Sequence, residues 1–188
     1  MTNALALSIL GPPGGGKTTL ASGLCHQLSI SRIAIGERLR GLAGSDDTLR
    51  RTLSSGGFVS DEAAWGLVAA DIRIAVQNAQ GFLLDGFPRT VGQVELLDDV
   101  GGLSRVFCLS VGEVTASTRI HLRSRSRDPR ADDLTLAAVR QRLQHYIEQT
   151  RPVIDVYRHR EILTFLDATR TPGQILASAL QAINEDVK

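Results

Sequence analysis

Short unbroken apolar runs and stretches of helical spacing take turns along the chain. Residues 4–10 are apolar throughout except Ser8 and are closed by Gly11, the pattern of a strand buried on both faces of a parallel sheet. Residues 17–28 then carry Leu20, Ala21, Leu24 and Leu28 at helical spacing. Ile33-Ala34-Ile35 predicts a second, very short strand, residues 36–40 open a helix, and residues 41–47 are small and polar, as in a loop. Helices are predicted over residues 48–53 and 61–80, broken by Gly56-Gly57 and with Ser60 or Asp61 as N-cap. A buried strand ends at Asp85, a helix follows over 91–100, a strand over 105–111 and a helix over 113–123. Residues 134–160 read as one long helix with Val139, Leu143, Tyr146, Ile147 and Ile154 on one face, which Pro152 should kink or divide. A last buried strand at 162–166, a loop at 167–172 and a helix over 173–184 complete the chain. Strands alternating with helices predict a doubly wound α/β architecture, a five-stranded parallel sheet flanked by helices, in one domain covering residues 1–188.

Composition narrows this picture. A chain of 188 residues supports one α/β domain with inserted small elements. With 43% hydrophobic residues, 22% charged and 4% aromatic, the core is expected to be built from Leu, Ile, Val and Ala. A formal charge of +1 speaks against bulk attraction to nucleic acid or an anionic membrane, so cationic chemistry must be local. Cys25 falls in a predicted helix and Cys108 in a predicted strand; both read as buried small hydrophobes without a disulfide, which fits a reducing compartment. Residues 1–10 lack a positive leader and Gly11 cuts the apolar run short of a membrane span, so a cytoplasmic protein is expected.

Residues 11–18, Gly-Pro-Pro-Gly-Gly-Gly-Lys-Thr, fit G-x-x-x-x-G-K-[ST] between a predicted strand and a predicted helix. A backbone folded tightly enough to aim several N–H groups at phosphate oxygens has little room for Cβ, and the lysine and the helix N-terminus add positive charge. A ligand-free Gly/Pro turn has no need of three successive glycines followed by lysine. The run Asp85-Gly86-Phe87-Pro88-Arg89 ends a strand in an acid and an arginine. If that strand neighbours the first, Asp85 has the placement of a metal-organising carboxylate and Arg89 that of a phosphate fork; the plainer reading is a capping Asp and a surface Arg. Arg119, Arg123, Arg125, Arg127 and Arg130 form a lysine-free cluster suited to phosphate recognition or, more plainly, a solvated basic loop.

Taken in order, these motifs resemble the adenylate kinases, nucleoside monophosphate kinases of the P-loop fold, from about residue 5 to the C-terminus. Gly11 to Lys17 is similar to the family's G-x-P-G-x-G-K loop, and Asp85-Gly86-Phe87-Pro88-Arg89-Thr90 followed by Gln93 is its most specific signature. Gly36-Glu37-Arg38-Leu39-Arg40 resembles the family's G-D-x-L-R, and Gly57-Phe58-Val59-Ser60-Asp61-Glu62 the turn lining the AMP base. Arg119 and Arg123, then Arg130-Ala131-Asp132-Asp133, then Arg142, resemble a short lid at about 123–133, with the AMP segment at about 35–64.

The resemblance implies transfer of the γ-phosphate of MgATP to AMP, giving two ADP. It places ATP on Gly14, Gly15, Gly16, Lys17, Thr18, Thr19, Arg119, Arg123 and Arg170, and AMP on Ile35, Arg40, Gly57, Phe58, Val59, Gly86, Arg89 and Gln93. Arg130 and Arg142 are implied for the transferring phosphate, and Lys17, Arg89, Arg123, Arg130 and Arg142 for catalysis; Asp85 by its placement and Thr18 by its hydroxyl are the residues expected at Mg2+. A monomer without nucleic acid or membrane partners is expected. The chain departs from the pattern in Thr18, whose hydroxyl is the one other phosphate-loop enzymes place on magnesium, and in Ile35 and Glu37, which stand closer to UMP/CMP kinases. Arg130 and Arg142 are one residue further apart than in the short-lid pattern, so Arg127 competes for the role of Arg130. A UMP/CMP kinase is the rival within the family. A nucleotide-binding regulator without turnover is the rival outside it, and the joint presence of Arg40, Arg89, Arg123 and Arg142 speaks against that.

Overall fold

The computed structural model describes residues 4–125, 133 and 135–185. Strands β1 (Ala6–Leu10), β2 (Ser31–Ala34), β3 (Phe82–Asp85), β4 (Arg105–Ser110) and β5 (Leu163–Asp167) form one five-stranded sheet in the order β2-β3-β1-β4-β5. Every pairing is parallel, so each connection must cross over the sheet, and helices do this. Helix α1 (Lys17–Leu28) follows β1; α2 (Ile35–Leu42), α3 (Asp47–Ser54) and α4 (Asp61–Gln77) follow β2; α5 (Val91–Asp98) follows β3. Helices α6 (Glu113–Ser124), α7 (Leu136–His145) and α8 (Arg151–His159) follow β4, and α9 (Pro172–Glu185) follows β5.

The apolar run of β1 is explained by its place in the middle of the sheet, where all of its residues are buried. Successive side chains serve opposite faces. Leu7 and Ile9 pack with Leu24 of α1 and Ala179 and Ile183 of α9. Ala6 packs with Phe82, Leu84 and Val68 and Ile72 of α4, while Leu10 meets Val153, Ile154 and Tyr157 of α8. Leu24 is fully buried, and burying a leucine stabilises by about 1.5–3 kcal/mol. Helices on both faces leave the carboxyl ends of the strands open, and connections leave β1 and β3 toward opposite sides of the sheet there, the place where such sheets bind ligands.

The structure shifts several expected elements. Ile35 opens α2 instead of ending β2. The expected loop at 41–47 is shorter, because α2 runs to Leu42 and the Asp46 carboxylate caps the Thr48 and Leu49 amides at 2.9 Å each, starting α3 at Asp47. Ser60 is the cap of α4, accepting from the Ala63 amide, and that helix ends at Gln77, not 80. Cys108 is buried as expected but Cys25 only half so; both are free thiols.

The long helix of 134–160 is divided as Pro152 required, in a particular way. Helix α7 ends at His145, a π turn spans Tyr146–Thr150, and α8 begins at Arg151 with Pro152 in its first turn. Proline has no N–H to offer the carbonyl of residue 148, and the wider turn accommodates this without a break in direction. The extra residue also changes the helical phase. Val139 and Ile154 are buried as expected, whereas Ile147, expected on the same face, is 51% exposed. Among the described residues, no helix is long and apolar enough to cross a membrane.

Candidate active site

Between the end of β1 and the start of α1, residues 11–16 form a tight loop. Gly14 has φ +78, and a Cβ there would lie 2.4 Å from the Ala116 carbonyl oxygen of α6, so glycine is required both by conformation and by space. Gly16 precedes α1 at φ +93 with no side-chain cap, and the first turn of α1 holds no acidic residue. The helix thus presents its partial positive charge without an internal anion, as an anion site requires. Lys17 Nζ donates to the carbonyls of Gly11 at 2.7 Å and Pro12 at 2.9 Å, which folds the side chain back over the loop.

This loop forms one wall of a cleft of about 310 Å³. Gly14 through Thr19 line it, with Arg40, Phe58, Gly86, Arg89, Arg123 and Arg142 on the other walls. Arg89 Nε donates to the Gly86 carbonyl at 2.8 Å, and its guanidinium carbon lies 4.9 Å from the centre of the Phe58 ring. The same ring stacks on His145 of α7 at 4.8 Å, so Phe58 joins Arg89 to α7.

A smaller adjoining cavity of about 30 Å³ is lined by Ile35, Gly57, Val59 and Gln93 and shares Phe58, Gly86 and Arg89 with the cleft. Gln93 is only 3% exposed, and its amide is oriented by chemistry that permits one arrangement. Its Oε1 accepts from the Arg89 amide at 2.7 Å, and its Nε2 donates to Asp61 Oδ1 at 2.8 Å. Thr90, the N-cap of α5, donates its hydroxyl to Asp61 Oδ2 at 2.8 Å. Asp61 was expected only as a possible cap; here it ties α4 to the loop carrying Arg89.

Arg123 of α6 and Arg142 of α7 converge on Asp133, whose side chain is fully buried. Arg123 donates from Nε at 2.5 Å and from Nη2 at 2.9 Å, and Arg142 from Nη1 at 2.6 Å. Burial alone would raise the Asp133 carboxyl, but the bonds and charges of Arg123 and Arg142 outweigh it and hold it below the usual range. The π turn brings Tyr146 and Thr150 to the cleft wall. Burial, then the neighbouring Cys108 thiol, pushes the Tyr146 hydroxyl up to about 12, so it remains a neutral donor.

Not every expected residue meets there. Among the described residues Arg119 donates to the Ala168 carbonyl at 2.8 Å, and Arg170 pairs with Asp167 at 3.6 Å; neither lines the cleft. Both lie against the loop after β5. Arg127 and Arg130 lie outside the described residues.

Asp85 ends β3 beside Ala34 of β2 and Ile9 of β1, and lines the cleft with Thr18. Its Oδ2 accepts from Arg32 at 2.6 Å (Nη2) and 3.3 Å (Nε), and the same Nη2 donates to Glu37 at 2.7 Å. Sequence reasoning missed Arg32: the strand was expected at 33–35, and β2 begins at Ser31, which brings Arg32 into the sheet. Among the described residues no three His, Cys, Asp or Glu side chains form a metal-holding group. A carboxylate and a hydroxyl at a phosphate site nevertheless fit Mg2+, which keeps several waters and takes one or two protein oxygens beside phosphate oxygens.

The glycine-rich loop, Lys17 and the arginines Arg40, Arg89, Arg123 and Arg142 thus share one cleft at the carboxyl ends of the strands. Comparison with known proteins agrees. The family model described as adenylate kinase matches residues 9–162. An adenylate kinase of Stenotrophomonas maltophilia is 37% identical over 188 residues, which cover 95% of this chain and 99% of the relative. One of a Nocardioides species is 34% identical over 190 residues, covering 96% and 97%. One of a Synechococcus species is 34% identical over 171 residues, covering 86% and 89%. With the loop, the Asp85-to-Gln93 signature and these full-length likenesses in agreement, this chain belongs to the adenylate kinase family.

Proposed function

We propose that this chain performs its family's reaction, ATP plus AMP giving two ADP, with the residues of the cleft divided between the two nucleotides. The ATP phosphates rest on Gly14, Gly15, Gly16, Lys17, Thr18 and Thr19. The AMP phosphate is held by Arg40 and Arg89, and its base lies toward Ile35, Gly57, Phe58, Val59, Gly86 and Gln93. The observation that supports this most directly is that Lys17 and Arg89 line the same cleft, one on the donor loop and one beyond β3. Residues 35–64 are the acceptor segment and residues 123–133 the lid, of which residues 123–125 and 133 are described.

The chemistry needs little beyond position and charge. Phosphoryl transfer spreads negative charge over the equatorial oxygens while attacking and leaving oxygens stay in line. Arg123 and Arg142 are pre-oriented on Asp133 and contribute cationic donors to that charge without reorganising at the moment of reaction. No general base is required, because an AMP phosphate oxygen is already a nucleophile. Thr18 and Asp85 would hold Mg2+, which when bound neutralises charge on the ATP phosphates. Arg119 and Arg170, both near the loop after β5, are assigned to the adenine end of ATP.

For the acceptor base, Gln93 has its oxygen engaged by the Arg89 amide and one amide proton by Asp61, leaving an N–H to donate. An N–H suits the unprotonated ring nitrogen of adenine and not the protonated ring nitrogens of uracil or guanine. A coupled assay of ADP formation offering ATP with AMP, CMP, UMP and GMP in turn tests the reading. AMP should give the highest kcat/KM, and a higher value for CMP or UMP would transfer the chain to the pyrimidine kinases. We take the protein to act as a monomer; sedimentation at working concentration checks this.

A further inference from the structure

The pairing of Arg32 with Asp85 has no part in the division of labour above, and it sits where that division expects a metal. Arg32 projects from the edge strand β2 onto the carboxylate that ends β3, placed there because Ala34 and Asp85 are register partners. Nη2 and Nε both address a single oxygen, Oδ2, and Asp85 is 7% exposed. Glu37, in the first turn of α2, accepts from the same Nη2 and is 54% exposed. One guanidinium therefore stands between two carboxylates, all three groups lining the cleft.

Two cations compete for one buried carboxylate in this arrangement. A guanidinium bound to Asp85 cancels the charge that would draw a divalent ion to it, and a divalent ion near Asp85 repels the guanidinium. Glu37 gives the displaced guanidinium a place to go without leaving the cleft.

We propose that Arg32 is a positioning residue that acts as an internal counter-ion on Asp85, competing with Mg2+ for that carboxylate and moving to Glu37 when the metal engages. It weakens the coupling between metal binding and ATP binding, so the cleft takes ATP with less help from Mg2+ than a site with an unpaired Asp85. The proposal rests on the ATP assignment made above.

The measurement is the ratio of the ATP dissociation constant in chelator to that in saturating Mg2+, read by calorimetry on the full chain. Arg32→Gln should raise this ratio about fivefold or more, within the usual range of coupling between two sites. Arg32→Lys, which keeps a charge but not the fork, should fall between the two. Glu37→Gln, on an exposed side chain that the fold does not need, should lower the ratio by leaving Arg32 no alternative to Asp85. Adding Asp85→Asn to Arg32→Gln should abolish the gain, a result that a purely structural role for Arg32 does not produce. Equal ratios in wild type, Arg32→Gln and Glu37→Gln, with ATP still bound, would overturn the proposal and leave the ATP assignment standing. Failure of the wild-type chain to bind ATP would overturn both.

Discussion

Arg123 and Arg142, on separate helices, are bonded to the two oxygens of one fully buried carboxylate, Asp133, at 2.5 Å and 2.6 Å. Two guanidinium groups that would repel each other are thereby held together before any phosphate arrives. The acid thereby sets the orientation of two cations that line the cleft.

Asp133→Asn keeps the shape and removes the charge, which leaves two cations without their shared partner. A loss of about 3 kcal/mol in urea unfolding at pH 7 is expected, the scale for breaking a buried ion pair. The folded carboxyl titrates below the unfolded value of about 3.9. Its contribution is therefore complete above that value and disappears as pH falls through the lowered folded one. Wild type and Asp133→Asn should accordingly differ much less at low pH than at pH 7, and an equal difference at both would refute the ion-pair account.

Lys17→Ala should lower kcat by about a thousandfold, the scale for losing a positioned charge at a developing anion. Lys17 Nζ donates to the loop carbonyls of Gly11 and Pro12 and is no part of the apolar core, so the far-UV spectrum and unfolding midpoint should stay close to wild type. Near-normal turnover would remove the phosphate loop from the mechanism.

Gly14→Ala tests the loop by space instead of charge. The added Cβ would approach the Ala116 carbonyl oxygen to 2.4 Å at a positive φ, so loop and α6 must move apart. Strain of about 1–3 kcal/mol is expected, together with ATP binding weakened by at least about tenfold. AMP affinity measured alone should change little, because Arg40 and Arg89 lie on the opposite wall.

Gln93→Ala removes the free amide proton and also the acceptor of the Arg89 amide. Losing one hydrogen bond of about 1 kcal/mol should erode the preference for AMP over UMP several-fold. Asp61→Asn should give a smaller loss in the same direction, since Asn can turn a donor toward Gln93 Nε2 and spoil its orientation. An unchanged AMP-to-UMP ratio in both variants would place base recognition elsewhere.

What could be read from the sequence divides according to how local the cause is. The phosphate loop was legible because the positive φ of Gly14 and Gly16 and the bonds of Lys17 to Gly11 and Pro12 are local, and the Asp85-to-Arg89 turn for the same reason. The Arg32–Asp85 pair was not, since it depends on β2 lying beside β3, and nothing in the order of residues says which strands are adjacent. Arg119 and Arg123 are one helical turn apart and look equivalent as letters, yet one reaches the Ala168 carbonyl and the other Asp133. Gln93 was expected beside Arg89 in the same turn-and-helix segment, but its engagement by Arg89 and Asp61 required the packing of α4 on α5. Pro152 announced a disturbance in the long helix without saying that it would take the form of a wide turn, so Ile147 was assigned to the wrong face.

That wide turn sets the aim of α7. Downstream, Val153, Ile154 and Tyr157 fix α8 in the core; upstream, Arg142 faces the cleft. One residue of an α-helix corresponds to about 100° of rotation, and the wide turn at Tyr146–Thr150 absorbs that amount, keeping two rigid rods in phase across an extra residue. Tightening that turn into ordinary helix with all five residues kept would swing Arg142 by about a quarter of a circle, out of reach of Asp133. The chain would then still fold around its sheet, with α7 pointing the wrong way.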